Sequence, residues 1–219
     1  VTNPPDWEAV AAIGERMHAA VSALLPTLRD ETSVPIAAHL ERVALPLGEP
    51  DQAILTQVLE GYDHTPREGT RPYYATGVAS ERFERAWAEA MRVWKDRSDP
   101  RRLPVELHAL RLGPLALVGV PAEVFSLFGF AIKQRSPFRM IAVVGYTNDL
   151  VGYIPRPRDF EDSGFGGYAA VLAPMILGLP PFKPNVGQVL VDAAVRALDR
   201  VAGRSVSGDA EPRGGDAAL

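Results

Sequence analysis

Cysteine is absent from this chain of 219 residues, and neither a long apolar run nor a cluster of basic residues is present. Without cysteine there is no disulfide and no thiolate chemistry, which suits a bacterial cytoplasm or a secreted protein without cross-links. The sequence contains no run of 18 or more apolar residues, so no transmembrane segment is predicted, and the first residues lack the pattern of a signal peptide. The formal net charge of −4 argues against nucleic-acid binding.

Histidine is scarce, and its spacing predicts no metal site. The four histidines are far apart, and no pair has the spacing that brings two imidazoles to one face of a helix. His18 falls in an amphipathic helix and His108 in a strand, where structural roles are favoured. We find no constellation for the other two, His39 and His64.

What the chain does contain is enough apolar sequence for one sizeable core, since 47% of its residues are hydrophobic. The pattern predicts an α/β fold in which helices cover a mixed β-sheet. We expect one domain over residues 1–203 and a disordered tail over 204–219. The predicted strands are 36–47, 106–112, 115–120 and 140–144, and the predicted helices are 7–25, capped by Asp6, 51–62, 80–96, 124–134 and 185–202.

The segment from 105 to 168 carries the candidate site. A buried strand stops at Pro121-Ala122-Glu123, directly before a predicted helix, where the dipole of a helix N-terminus would favour an anion. A second strand ends in a polar and aromatic loop that includes Asn148 and closes at Tyr153-Ile154-Pro155. After a charged stretch, Gly166-Gly167 precedes Tyr168. Two strand ends therefore deliver a carboxylate and two phenols into loops.

These motifs, in this order, resemble the end of the catalytic domain of the neutral/alkaline, non-lysosomal ceramidases and their bacterial relatives. The resemblance is strongest over residues 107–168 and weaker before them. It implies that residues 1–203 are the C-terminal portion of a larger, ceramidase-like catalytic domain. Members of that family are zinc-dependent hydrolases that cleave the fatty-acyl amide of ceramide. The resemblance thus implies hydrolysis of N-acyl sphingosine or a similar acyl amide, with zinc as the cofactor.

The resemblance also implies roles for three residues. Glu123 matches the glutamate that ligates zinc in the family, and Tyr153 matches a tyrosine that is a second ligand. Tyr168 is the counterpart of a catalytic tyrosine that donates a hydrogen bond to the reacting carbonyl. Two departures are evident. Ala122 replaces the usual glycine of the turn, and Ala169 stands where a glutamate is expected after the last tyrosine.

The remaining zinc ligands of the family are two histidines, and its nucleophile is a serine. All three precede the region matched here, and we find no counterpart for them in this chain. We therefore expect an incomplete site that needs an N-terminal half supplied by another chain. Without the resemblance, Glu123 could be a glutamate favoured by the helix dipole, and the two tyrosines could be ordinary strand-end and turn aromatics.

Three hypotheses remain open. The chain could be part of a zinc amide hydrolase that acts on a ceramide-like N-acyl amide. It could be a truncated, non-catalytic protein that binds lipid-like ligands. It could also be an α/β module without an enzymatic role, whose likeness to the family is structural only. The true substrate, the oligomeric state and the compartment do not follow from the sequence.

Overall fold

The computed structural model describes residues 6–30, 33–49, 86, 89–93, 101–161, 169–170 and 173–204. The predicted helix 51–62 and the tail from residue 205 lie outside these ranges. Of the predicted helix 80–96, residues 86 and 89–93 are described and are helical. The chain divides into two compact units, Val1–Val34 and Pro35–Leu219.

The first unit contains helix α1, Trp7–Leu24, followed by a short 3₁₀ turn, Leu25–Thr27. The helix begins where the sequence predicts, because the carboxylate of Asp6 accepts a hydrogen bond of 3.0 Å from the Ala9 N–H. Such a cap satisfies one of the N–H groups that a helix start leaves without a partner. None of the side chains of α1 is buried.

The second unit is built on a four-stranded mixed sheet. Its strands are β1 Ile36–Pro46, β2 Arg102–Leu112, β3 Leu115–Gly119 and β5 Met140–Val144, and each overlaps a strand predicted from the sequence. Their order in the sheet is β1-β2-β3-β5. Strands β1, β2 and β3 pair antiparallel, and β3 pairs parallel with β5. Helix α2, Ser126–Arg135, makes the crossover that a parallel pair requires.

A second, two-stranded sheet pairs β4, Glu123–Val124, in parallel with β6, Tyr153–Ile154. Two further helices follow, α3 at Ala173–Ile176 and α4 at Val186–Val201. Helix α4 ends at the predicted place, just before Gly203. The predicted fold class, a mixed sheet packed against helices, is confirmed.

The core lies between one face of the four-stranded sheet and the helices α4 and α2. Leu107 and Val118 of the sheet pack there with Leu190 and Leu198 of α4 and with Ile132 of α2, and all five are fully buried. Apolar burial of this kind is the main favourable contribution to folding. Among the described residues, no helix is both long and apolar enough to span a bilayer.

Candidate functional site

The structure brings two of the three predicted site residues together. Glu123 in β4 and Tyr153 in β6 are register partners across the two-stranded sheet, although all of α2 and β5 separates them in sequence. The Glu123 N–H donates a hydrogen bond of 2.8 Å to the carbonyl of Gly152. Both side chains are partly buried and line the same cavity.

Backbone hydrogen bonds join the two turns that carry these residues. The Val151 N–H donates to the Pro121 carbonyl at 2.8 Å, and the Tyr146 N–H donates to the Ala122 carbonyl at 3.3 Å. Gly152 has a φ of +85°, which strongly favours glycine, and it directly precedes Tyr153. The turn after β3 and the loop after β5 therefore hold each other in place.

One sequence-based interpretation of Glu123 is wrong. The helix was expected to begin at residue 124, but α2 begins at Ser126 with Phe125 as its N-cap residue, and its first turn contains no acidic residue. Residues 123 and 124 instead pair with β6, because the loop after β5 offers them a partner strand. Glu123 is therefore a strand residue, and the helix dipole does not explain its position.

The cavity beside this pair has a volume of about 450 Å³. The polar and charged residues that line it include Glu123, Ser126 and Lys133. Several lining residues are aromatic, and two of them, Phe130 and Tyr146, are 62% and 60% exposed. Lys133 and Phe130 had not been predicted as site residues, because only the fold brings this part of α2 to the same cavity as Tyr153.

Arg156 and Asp159, which follow Tyr153 in the chain, form an ion pair whose carboxylate is buried. The Asp159 side chain is 1% exposed, and its carboxylate accepts hydrogen bonds from the Arg156 guanidinium and from the Arg156 backbone N–H, the latter at 2.7 Å. These charge-assisted hydrogen bonds hold the pKa of Asp159 below its ordinary value of 3.8, although desolvation of the carboxylate acts in the opposite direction. The guanidinium carbon lies 5.0 Å from the centre of the Phe125 ring, whose centre is 5.7 Å from that of Tyr153.

Neither Arg156 nor Asp159 was predicted as a site residue from the sequence. The available signal was local, because a proline follows Arg156 and an acidic residue lies at the third position of the 3₁₀ turn Pro157–Phe160. The turn is closed by two hydrogen bonds, since the Arg156 N–H donates to the Asp159 carboxylate and the Asp159 N–H donates to the Arg156 carbonyl at 2.9 Å.

The loop after β5 contains two non-glycine residues in the left-handed region, Tyr146 at φ 54° and Asn148 at φ 64°. Few non-glycine residues adopt this conformation, and asparagine is among those that tolerate it best. The Nδ2 of Asn148 lies 3.0 Å from Nε2 of His108, which is a strand residue as predicted.

The third predicted residue, Tyr168, lies outside the described residues, and its role stays a prediction. No group of three or more histidine, aspartate or glutamate side chains is placed to hold a metal ion in the part of the chain that the structure describes. Catalytic zinc normally has three protein ligands, and at least one is usually imidazole or thiolate. One carboxylate and one phenol, with a lysine in the same cavity, therefore do not fit a zinc ion by themselves.

No protein-family model and no curated protein matches this chain. Among the solved structures that resemble it distantly are two ceramidases, each at 17% sequence identity. The neutral ceramidase from Pseudomonas aeruginosa aligns over 78% of this chain and 29% of its own, with a TM-score of 0.41. A ceramidase complexed with C2 aligns over 90% of this chain and 36% of its own, with a TM-score of 0.42. The chain spans about a third of these proteins, and similarities this distant do not assign a function.

Proposed function

We propose that this chain supplies part of the active site of an amide hydrolase that acts on a ceramide-like N-acyl amide. Glu123 and Tyr153 would be two oxygen ligands of a zinc ion. The other ligands and the nucleophile would come from outside the described residues, for example from an N-terminal half on another polypeptide. The observation that carries this proposal is the pairing of Glu123 with Tyr153 at the wall of one cavity.

The cavity supports the same proposal. Small-molecule sites have volumes of roughly 300–1,000 Å³, with mainly apolar walls and a few convergent polar groups. This cavity has about 450 Å³, aromatic walls and a carboxylate. Such walls suit a substrate with an apolar chain. A carboxylate and a phenol held by a shared backbone network offer fixed oxygen donors.

Within the proposed function, the residues of this chain would bind and orient the zinc ion and the amide substrate. Glu123 would hold a negative charge at the cavity wall, and its main-chain bond to Gly152 keeps it beside Tyr153. Zinc, when bound, would supply a Lewis acid that polarises the amide carbonyl. Tyr168 remains the proposed hydrogen-bond donor to the oxygen that gains charge during amide cleavage.

The test measures zinc content and amidase activity on an N-acyl sphingosine. The chain is assayed alone and mixed with the N-terminal half of a ceramidase-like relative. We expect zinc and turnover in the mixture, and both should be lost in Glu123→Gln and strongly reduced in Tyr153→Phe. Glu106→Gln is the matched control, because Glu106 is a surface residue paired with Arg42. Zinc binding that is unaffected by Glu123→Gln and Tyr153→Phe would contradict the proposal.

A second candidate is a non-catalytic protein that binds lipid-like ligands. Lys133 favours it, because a cation that lines the same cavity as Glu123 opposes the approach of a metal ion but can pair with an anionic group of an amphiphile. Binding of a fluorescent fatty-acyl amide in the presence of EDTA separates the two. Binding that persists without metal and is lost in Phe130→Ala, with no turnover in any mixture, would favour this candidate.

A further inference from the structure

The Arg156–Asp159 pair lies next to the aromatic wall of the candidate site. The Phe125 ring links this pair to Tyr153, because its centre lies 5.0 Å from the guanidinium carbon of Arg156 and 5.7 Å from the centre of the Tyr153 ring. The Phe125–Tyr153 rings meet at 36°, a tilted arrangement within the distance range of favourable aromatic pairs. Arg156 is thus one contact removed from a residue that lines the cavity.

The guanidinium has little freedom to move. Its Nε lies 3.0 Å from both carboxylate oxygens of Asp159, and its Nη2 lies 2.5 Å from Oδ1. A planar guanidinium held by a fully buried carboxylate presents a fixed face to an aromatic ring, which a lysine ammonium does not. At 5.0 Å from the ring centre, the cation is within the range of an attractive cation–π contact.

We propose that Arg156 is a positioning residue, which acts with Asp159 through Phe125 to hold the Tyr153 ring at the cavity wall. Without the Arg156 guanidinium, the Phe125 ring loses its cation–π contact, and we expect the Tyr153 ring beside it to change its position at the cavity wall. Mutation of residues that orient metal ligands typically lowers metal affinity by about 10- to 100-fold. The consequence for zinc rests on the proposed function, whereas the consequence for the ring of Tyr153 does not.

The first measurement therefore follows the ring itself. Aromatic ¹H–¹³C NMR spectra of the whole chain are recorded, and the Tyr153 signals are assigned by their loss in Tyr153→Phe. We expect Arg156→Met to shift these signals, Asp159→Asn to shift them in the same direction, and Arg156→Lys to give a smaller shift. Arg111→Met is the matched control, because Arg111 lies 5.7 Å over the ring of Phe138 in another part of the unit. Unchanged Tyr153 signals in Arg156→Met would overturn the proposal.

The second measurement tests whether Arg156 acts through the tyrosine. Zn²⁺ affinity is measured by calorimetry in a double-mutant cycle of Arg156→Met with Tyr153→Phe, in the mixture with the N-terminal half. We expect Arg156→Met to weaken Zn²⁺ binding about tenfold when Tyr153 is present, and by less than about twofold in the Tyr153→Phe background. Losses that multiply independently would overturn the proposal.

The two measurements separate the failure of this inference from that of the proposed function. If the wild-type mixture binds no Zn²⁺, the proposed function fails, and the NMR shifts alone decide whether Arg156 positions Tyr153. If Zn²⁺ binding requires Glu123 but the Tyr153 signals do not change in Arg156→Met, the proposed function is supported and the positioning role of Arg156 is contradicted. Far-UV circular dichroism and the urea midpoint of each variant identify any loss of folding, and Asp159→Asn and Arg156→Lys provide the milder substitutions.

Discussion

Asp159 and Arg156 show how much a single buried charge depends on its partner. A carboxylate that is 1% exposed is costly to bury unless the hydrogen bonds to its partner offset the lost hydration. Here the guanidinium and the Arg156 N–H both donate to it. Because these bonds favour the ionised form, the pKa of Asp159 lies below its ordinary value.

The direction of this pKa shift predicts a pH dependence. The stabilisation is fully present above the ordinary pKa of 3.8 and is lost as the pH falls from there through the lower native pKa, because the unfolded chain takes up the proton first. Asp159→Asn should lower the free energy of unfolding at pH 7 by roughly 1.5–3 kcal/mol, the typical worth of hydrogen bonds to a charged group. Urea titrations of both proteins between pH 7 and pH 2 should show this difference shrinking below about pH 4. A difference that stays constant over the range would contradict the prediction.

The sequence alone could predict some site residues and not others. Glu123 and Tyr153 carry a signal in their motifs, Pro-x-Glu and Tyr-Ile-Pro, at the ends of recognisable strands. Lys133 carries none, since a lysine near the end of a helix is ordinary on any surface. Its place in the cavity depends on how α2 lies relative to β6, which supplies Tyr153, and local pattern does not contain this arrangement.

At the scale of elements, the contact between α2 and α4 depends on one glycine. A Cβ added at Gly187 would lie 2.1–2.2 Å from ring atoms of Phe128, which is buried in the same core. Packing at this density leaves no room for an extra methyl group unless the phenyl ring moves. Phe128 in α2 therefore packs closely against α4 because position 187 is a glycine and has no side chain.

We predict opposite effects for two glycine-to-alanine substitutions. Gly187→Ala should destabilise the protein by about 1–3 kcal/mol or more, because it overpacks the contact with Phe128. Gly129→Ala, within α2, should stabilise it by up to about 1 kcal/mol, because alanine is the better helix former and nothing lies within 4 Å of its added Cβ. Chemical denaturation of both variants checks this. Equal effects would show that the helices are not packed at Gly187 in this way.

Helix and strand positions in the sequence were largely predictable, and their ends were less so. Helix α4 was expected because its apolar residues recur at helical spacing, and Gly203 marks its end. The start of α2 was missed by two residues, because an apolar pattern at 124–128 suits a strand end and a helix start alike. Pairing of Glu123–Val124 with β6 decided between them.

At the scale of the molecule, the four-stranded sheet has two different faces. The face toward α4 is buried, with Leu107 and Val118 fully enclosed. On the other face, the register aligns Ile36 with Leu112 and Leu115 with Met140, and all of these are apolar. Large side chains there remain accessible, with Ile36 73% and Leu110 42% exposed. At these apolar positions burial, and not residue type, distinguishes the two faces, although the outer face also carries the exposed Arg42–Glu106 ion pair.

We therefore predict unequal effects for the same substitution on the two faces. Leu107→Ala should destabilise the protein by about 2–5 kcal/mol, because it opens a cavity in the core. Leu110→Ala, three residues further along β2, should lower the free energy of unfolding by less than about 1.5 kcal/mol, because Leu110 is 42% exposed in the native structure. Urea denaturation of the two variants makes the comparison. Similar losses in the unfolding free energy would mean that Leu110 is covered in solution.

The sequence by itself determined the class of fold, the approximate positions of most of the described elements, and the motifs of Glu123 and Tyr153. These follow from local periodicity and turn chemistry, which need only neighbouring residues. Tertiary structure alone decided that Glu123 opposes Tyr153, that Lys133 shares their cavity, and that the Arg156 guanidinium lies over the Phe125 ring. It also decided which face of the sheet is covered. Such contacts depend on how separate elements pack, and their energies depend on burial that exists only after the layers have packed.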